Sequence, residues 1–165
     1  MADVLSGAYG TIDFETPVML FDRTSYYEPE FGNSLKRIFM SFTELVFQDT
    51  LPEIKHATNR LEQKFSKEGK RQVNIDPGIL TAERLVLATG KNFSHRIYLG
   101  RGVYADLTLI CRKGSFRPLP WTYPDYASQE VIEFWNNVRK SYLKELSEAR
   151  AQHSPMTEGV SSNPT

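Results

Sequence analysis

The chain has 165 residues, 40% of them apolar, with ten Phe and eight Tyr. That is enough for one domain with a real core, and it excludes a disordered class. Twenty basic and twenty acidic residues cancel, so no long-range field points to nucleic acid or to an anionic membrane.

The elements follow in chain order. The first eight residues are expected to be weakly ordered. Pro17 to Asp22 is a short apolar strand. Lys36 to Phe42 alternates, with Ile38, Met40 and Phe42 on one face and Arg37, Phe39 and Ser41 on the other. Asp49 or Thr50 caps a helix that has Pro52 in its opening turn, where a missing N–H costs nothing. Leu51, Ile54, Thr58, Leu61 and Phe65 form its apolar stripe, and Lys55, Asn59 and Glu62 form a polar row at steps of four and three. Such a row is either a solvated face or one wall of a ligand pocket.

Arg71 to Asp76 is predicted as a strand, with Val73 and Ile75 on one side and Asn74 and Asp76 on the other. A short helix is expected from Thr81 as cap to Gly90 as terminator. Arg96–Leu99, Gly102–Arg112 and Ser115–Pro118 suit a three-strand meander, with Gly100-Arg101-Gly102 and Lys113-Gly114 as its turns. Pro118, Pro120 and Pro124 make an ordered, non-helical loop that carries Trp121, Tyr123, Asp125 and Tyr126. Ser128 caps the last helix, whose apolar face is Val131, Trp135, Val138, Tyr142, Leu146 and Ala149. Residues 152–165 are rich in Ser, Pro, Thr, Gly and Asn and are expected to be disordered. The sum is one α+β domain over residues 9–150, a largely antiparallel sheet with helices packed on one face.

Strand alternation gathers the chemistry. Val103, Ala105, Leu107, Leu109 and Cys111 point one way, and Tyr104, Asp106 and Thr108 the other. If the polar faces coincide, Asn74, Asp76, Arg96, Tyr98, Tyr104, Asp106 and Thr108 form one cluster, and a one-residue register error destroys it. A solvated sheet face explains the same residues. Within the cluster, Asp76, Asp106 and His95 are the candidate acid/base groups, since a carboxylate beside a histidine suits proton transfer. Asn74, Lys91, Arg96, Tyr98, Trp121, Tyr123 and Asp125 are the candidate ligand contacts, the two cations for an anion and the aromatic wall for a planar group. Arg96 is the expected partner of Asp76.

Several chemistries lack their words. No two-His helix spacing or Cys/His cluster points to a metal. Cys111 is the only cysteine, which rules out an internal disulfide. The Gly90-Lys91 pair lacks the phosphate-loop pattern, which wants glycine and a hydroxyl where Leu85 and Asn92 stand. No apolar run approaches membrane length, so a cytoplasmic protein is expected.

The chain resembles a bacterial and archaeal family catalogued as domain of unknown function 4416. The matching words are Phe21-Asp22 to Gly32 with Tyr26-Tyr27 and Glu30, Lys55 with Thr58-Asn59 and Glu62, Val73 to Gly78, Leu85 to Thr89 with Lys91, His95 to Leu99, and Leu119 to Tyr126. The resemblance brings no established activity. Some relatives carry a GTP-binding label, which the missing phosphate loop does not support here. Members usually begin with an apolar strand and a helix ahead of the Tyr9-Gly10 equivalent, so the resemblance implies a start that is truncated or assigned late. Ile79 stands where an aromatic residue is common, and Asp106 where Glu is common. The expected function is binding of, or action on, a small anionic ligand at the Asp/Arg/Tyr pocket, with catalysis left open and no cofactor indicated. The alternatives are a non-catalytic protein-interaction module and nucleotide binding without a phosphate loop.

Overall fold

A computed structural model describes residues 1–21 and 35–152. The family words at Asp22, Tyr26, Tyr27 and Glu30, and the expected tail from residue 153 onward, lie outside the described residues.

The main sheet is built on β8 (Val103–Arg112). One edge of β8 pairs antiparallel with β6 (Arg84–Thr89), which pairs in turn with β5 (Gly78–Leu80). The other edge is shared. Its first half takes β7 (Arg96–Gly100) and its second half takes β9 (Ser115–Pro118). The expected meander is therefore corrected: β7 and β9 lie end to end on one side of β8, because β6 already occupies the other. The turns are those the glycines predict. Lys113 (φ +52°) and Gly114 (φ +80°) form a two-residue hairpin loop with both backbones left-handed, which matches the twist of the strands it joins.

Three sequence expectations fail in this sheet. Residues 81–90, expected as a helix, form the turn and strand β6. Leu85, Leu87 and Ala88 are buried, and a short apolar run buried on both faces carries no periodicity that separates strand from helix. Thr81, expected as a helix cap, closes the hairpin, with its N–H donating to Arg84 O at 2.9 Å. Gly90 accordingly ends a strand, not a helix. Arg71–Asp76 forms no strand and pairs with none among the described residues, and Asp76 precedes β5 instead of ending a strand.

A bulge breaks the alternation of β8. Leu85 faces Leu109 while Val86 faces Leu107, so Thr108 is the extra residue. Val103 consequently joins a cluster with Leu51 and Ala88, whereas Leu109 packs with Leu85, Leu87 and Phe116 and touches Cys111. The bulge also moves Leu107 and Thr108 away from any strand partner on the β7/β9 edge. Trp121 Nε1 donates to Leu107 O at 2.8 Å, and the Thr122 hydroxyl donates to Thr108 O at 2.5 Å. The proline loop thus closes the gap between β7 and β9.

Helix α1 (Ala2–Tyr9) forms where weak order was expected, and it buries Leu5. Helix α2 (Leu51–Lys64) follows a short 3-10 turn at Gln48–Thr50. Helix α3 (Gln129–Gln152) is the longest. The Ser128 carbonyl accepts from the Ile132 N–H at 3.0 Å, while its hydroxyl donates to Asp125 O at 2.8 Å instead of capping the helix. Val131, Trp135 and Val138 are buried as the stripe predicts, while Ala149 is exposed and Gln152 still belongs to the helix. The α+β class with antiparallel sheets holds. The helices, expected on one face, divide between alternate residues of β6: α3 packs with Leu85 and Leu87, and Leu51 of α2 with Ala88. No helix among the described residues is long and apolar enough to cross a membrane.

The N-terminal part is a kinked antiparallel ribbon. β1 (Ile12–Glu15) pairs with β4 (Met40–Phe42), and β2 (Met19–Phe21) pairs with β3 (Leu35–Arg37). Pro17, which offers no N–H, sits at the break on one strand, and Ile38-Phe39 sits opposite. This splits the single strand expected over Lys36–Phe42. At the break Thr16 holds Phe39 from both sides, its N–H donating to Phe39 O at 2.9 Å and its Oγ1 accepting from Phe39 N at 3.0 Å. The Phe39 ring enters the main core, edge-on to Tyr126 at 4.9 Å and to Trp135 at 5.9 Å.

Candidate functional site

The segment Arg71–Asp76 is held by α2. Lys55 Nζ donates to Ile75 O at 3.0 Å, and Ile75 N–H donates to Glu62 Oε1 at 2.6 Å. Two helix side chains thereby take both backbone polar groups of one residue, as a neighbouring strand would. Glu62, only 4% exposed, also accepts from Arg71 Nη1 at 3.0 Å. The Lys55/Glu62 row is neither a solvated face nor a ligand wall. It positions the segment that carries Asn74 and Asp76.

At the end of that segment Asn74 Nδ2 donates to Asp76 Oδ2 at 3.0 Å. The cation at Asp76 is Arg37, whose Nη2 lies 3.8 Å from the same oxygen, and not the expected Arg96. Arg37 is bound more closely to Asp125 of the proline loop, and its guanidinium sits 5.9 Å from the ring centres of Phe39 and Tyr126. Arg37 shares a strand face with Phe39 in the sequence, but nothing local marks its partner 88 positions away.

Arg96 is committed elsewhere. It faces Asp106 across β7 and β8, with Nε 2.8 Å from Asp106 Oδ2, and its Nη1 donates to Lys91 O at 3.0 Å. His95 stands beside this pair, Nε2 3.5 Å from Asp106 Oδ2. Its ring stacks on Trp121 at 4.9 Å and 12°, with Phe93 edge-on at 5.3 Å. Trp121 is therefore a structural lid on His95 and on the β8 gap. Tyr98 lies apart, exposed, its ring against Tyr104 and its hydroxyl accepting from Gly102 N–H at 3.2 Å. Tyr123 is exposed at the loop surface, and the Lys91 side chain is exposed.

Tyr126 joins the two groups, and it is the residue that the sequence reading left out of its site. Burial is the main cause that pushes its phenol well above the usual value, and Asp76 adds to it. Arg37 lowers it, while Asp125 and Asp106 raise it further. The charges of three carboxylates and a guanidinium thus all bear on the ionisation of one buried phenol. Among the carboxylates Asp76 is the open one, with 36% of its side chain exposed against 12% for Asp125 and 9% for Asp106. Among the described residues no group of three or more His, Cys, Asp or Glu is arranged to hold a metal ion.

A cavity of about 860 Å³ opens beside this network, between the kinked ribbon and the main sheet. Arg37, Asn74, Asp76 and Tyr126 line its polar side. Leu85, Leu87, Trp135 and Val138 line its apolar side.

The family model described as Domain of unknown function (DUF4416) matches residues 1–142, and the chain belongs to that family. No curated protein and no solved structure matches it.

Proposed function

We propose that this family member is a small-molecule-binding protein whose ligand occupies the cavity between ribbon and sheet. The observation that carries the reading is the cavity itself, about 860 Å³ with core residues on one side and a convergent polar cluster on the other. Ligand sites have this size and this mixture, an apolar wall for affinity and a few fixed polar groups for orientation. Asp76 is the contact of choice, since it is the accessible carboxylate of the cluster and is pre-positioned by Asn74. Asp106, Arg96 and His95 form a tight buried set, which suits holding β7 and the proline loop in place more than turning over a ligand. A nucleotide reading has less support, because Gly90-Lys91 leads from β6 to β7 and no helix N-terminus follows to receive a phosphate.

Nile red, a neutral apolar fluorophore, tests the cavity. It is expected to bind saturably with one site per chain. Ile38→Trp, at a half-open position of the lining, is expected to weaken binding about tenfold or more by filling the space. Non-saturable fluorescence, or full binding in the filled variant, would overturn the reading.

A further inference from the structure

We infer that the ligand is an apolar amine, positively charged at neutral pH. This rests on the cavity being a ligand site. The first observation is the charge of the lining. Among the described residues the carboxylates of Asp13, Glu15, Glu44, Asp76 and Glu145 line the cavity against two cationic side chains, Lys36 and Arg37, and the Met1 amino group. Arg37 is already held by Asp125 and Asp76. An anion would have to displace a carboxylate from that guanidinium and then face the remaining acids, whereas a cation meets complementary charge from the start.

The second observation is an open oxygen. Both partners of Asp76, the Asn74 amide and the Arg37 guanidinium, approach Oδ2. Among the described residues that leaves Oδ1 without a partner, on the most accessible carboxylate of the cluster. An ammonium group is a compact donor that suits such an oxygen.

The third observation is the open part of the apolar wall, where Val18, Ile38, Leu45 and Phe47 line the cavity with a third or more of their surface exposed. Hydrocarbon there and an ammonium at Asp76 match the wall.

The experiment is displacement of Nile red by three molecules of equal chain length: an alkyl alcohol, an alkyl carboxylate and an alkylamine. The amine is expected to compete about tenfold or more better than the carboxylate, with its advantage shrinking as salt rises. Asp76→Asn should remove the preference for the amine and leave the alcohol unchanged. A carboxylate that competes as well as the amine, or an amine unaffected by Asp76→Asn, overturns the inference while saturable dye binding keeps the cavity reading. Failure of all three to displace a saturably bound dye overturns the inference in the same way. Absence of saturable dye binding sinks the cavity reading and this inference with it.

Discussion

The main sheet and the N-terminal ribbon are both antiparallel, yet they are held by different means. In the sheet, ten-residue β8 has strand or loop partners along both edges, and Leu109 and Phe116 between it and α3 are 0% exposed. In the ribbon, four strands of three or four residues pair only with each other. Two-stranded ribbons are marginal alone. This one is attached to the body through Phe39, buried among Tyr126, Phe134 and Trp135, and through Arg37 on Asp125. The difference teaches where the site gets its character. The wall formed by the sheet is paired along its strands, whereas the wall formed by the ribbon is attached by side chains, Phe39 with Phe14 and Met19 packed against the same core and Arg37 on Asp125, so the ribbon is the side of the cavity expected to move.

Truncating each region's anchor is the strongest way to break that contrast. Phe116→Ala is expected to cost about 3–5 kcal/mol, because it opens a cavity in a closed part of the core. The loss should be cooperative, lowering protection of every sheet amide together in hydrogen exchange. Phe39→Ala removes a similar volume, at about 3–5 kcal/mol if the ribbon stays docked. The ribbon is expected to undock instead, which caps the loss. Amides of β1–β4 should then exchange rapidly while β6 and β8 keep their protection. Equal loss of protection in both regions would show that ribbon and sheet are one cooperative unit.

The α2 latch sharpens the comparison from the sheet side. Glu62→Ala strands the Ile75 N–H and removes one acceptor of Arg71, and is expected to cost about 3 kcal/mol. Glu62→Gln keeps one acceptor and should cost less than half as much. Urea midpoints measure both. Because Asn74 and Asp76 lie at the end of the latched segment, Glu62→Ala should also weaken dye binding in the cavity, and Glu62→Gln should largely preserve it. Equal midpoints for the two variants would mean that the segment is held by packing alone.

Gly78 offers a smaller and more local disturbance. A methyl group there would lie 2.7 Å from Leu87 Cδ2 and 2.8 Å from Val86 O. The backbone oxygen cannot retreat without parting β5 from β6, so Gly78→Ala is expected to cost about 1–3 kcal/mol by overpacking. A neutral substitution would show that β5 sits less tightly on β6 than its register implies.

Much of this was legible where local chemistry decides structure. Pro52, Ser128 and the apolar stripes announce α2 and α3, and Lys113-Gly114 announces its hairpin, since caps, stripes and turns act within a few residues. Strand β6 was misread because Leu85 to Ala88 is buried on both faces and has no alternation to show. The shared edge of β8 was missed because nothing in Thr108 advertises a bulge, although that single residue sends Val103 and Leu109 to different clusters. For the site, cross-strand register brought Arg96 to Asp106 as alternation suggests. Arg37, Asp76 and Asp125 meet through folds of the chain that no periodicity encodes. The partner expected for Asp76 was wrong for that reason: sheet faces were compared, and the contact comes from the ribbon. Lys55 and Glu62 stood out as a row, but what they hold became visible only once residues 71–76 proved to lack a strand neighbour.

The smallest effect is reserved for Tyr126, the residue on which ribbon, sheet and proline loop converge. At neutral pH its phenol is uncharged whether the chain is folded or not, and Tyr126→Phe retains the ring that meets Phe39. The two proteins should therefore differ by no more than about 1 kcal/mol, the usual worth of one hydroxyl contact. The alkaline range separates them. In the unfolded chain the phenol ionises near its ordinary value of 10.0, while burial first, and Asp76 next, hold the folded phenol above it. A raised folded value means that the folded state keeps a proton which the unfolded state gives up. Stability from this group is complete below the ordinary value and is lost progressively as pH rises through and beyond it. Wild type should lose stability more steeply than Tyr126→Phe between about pH 9 and pH 11. The remaining tyrosines, Tyr9 with its own raised value among them, are common to both proteins and cancel in the difference. Urea midpoints taken across that range read it directly. Parallel curves would mean that Tyr126 ionises freely in the folded protein. The ribbon would then be open often enough to admit water and hydroxide to the centre of the network, and the movable wall would be moving all the time.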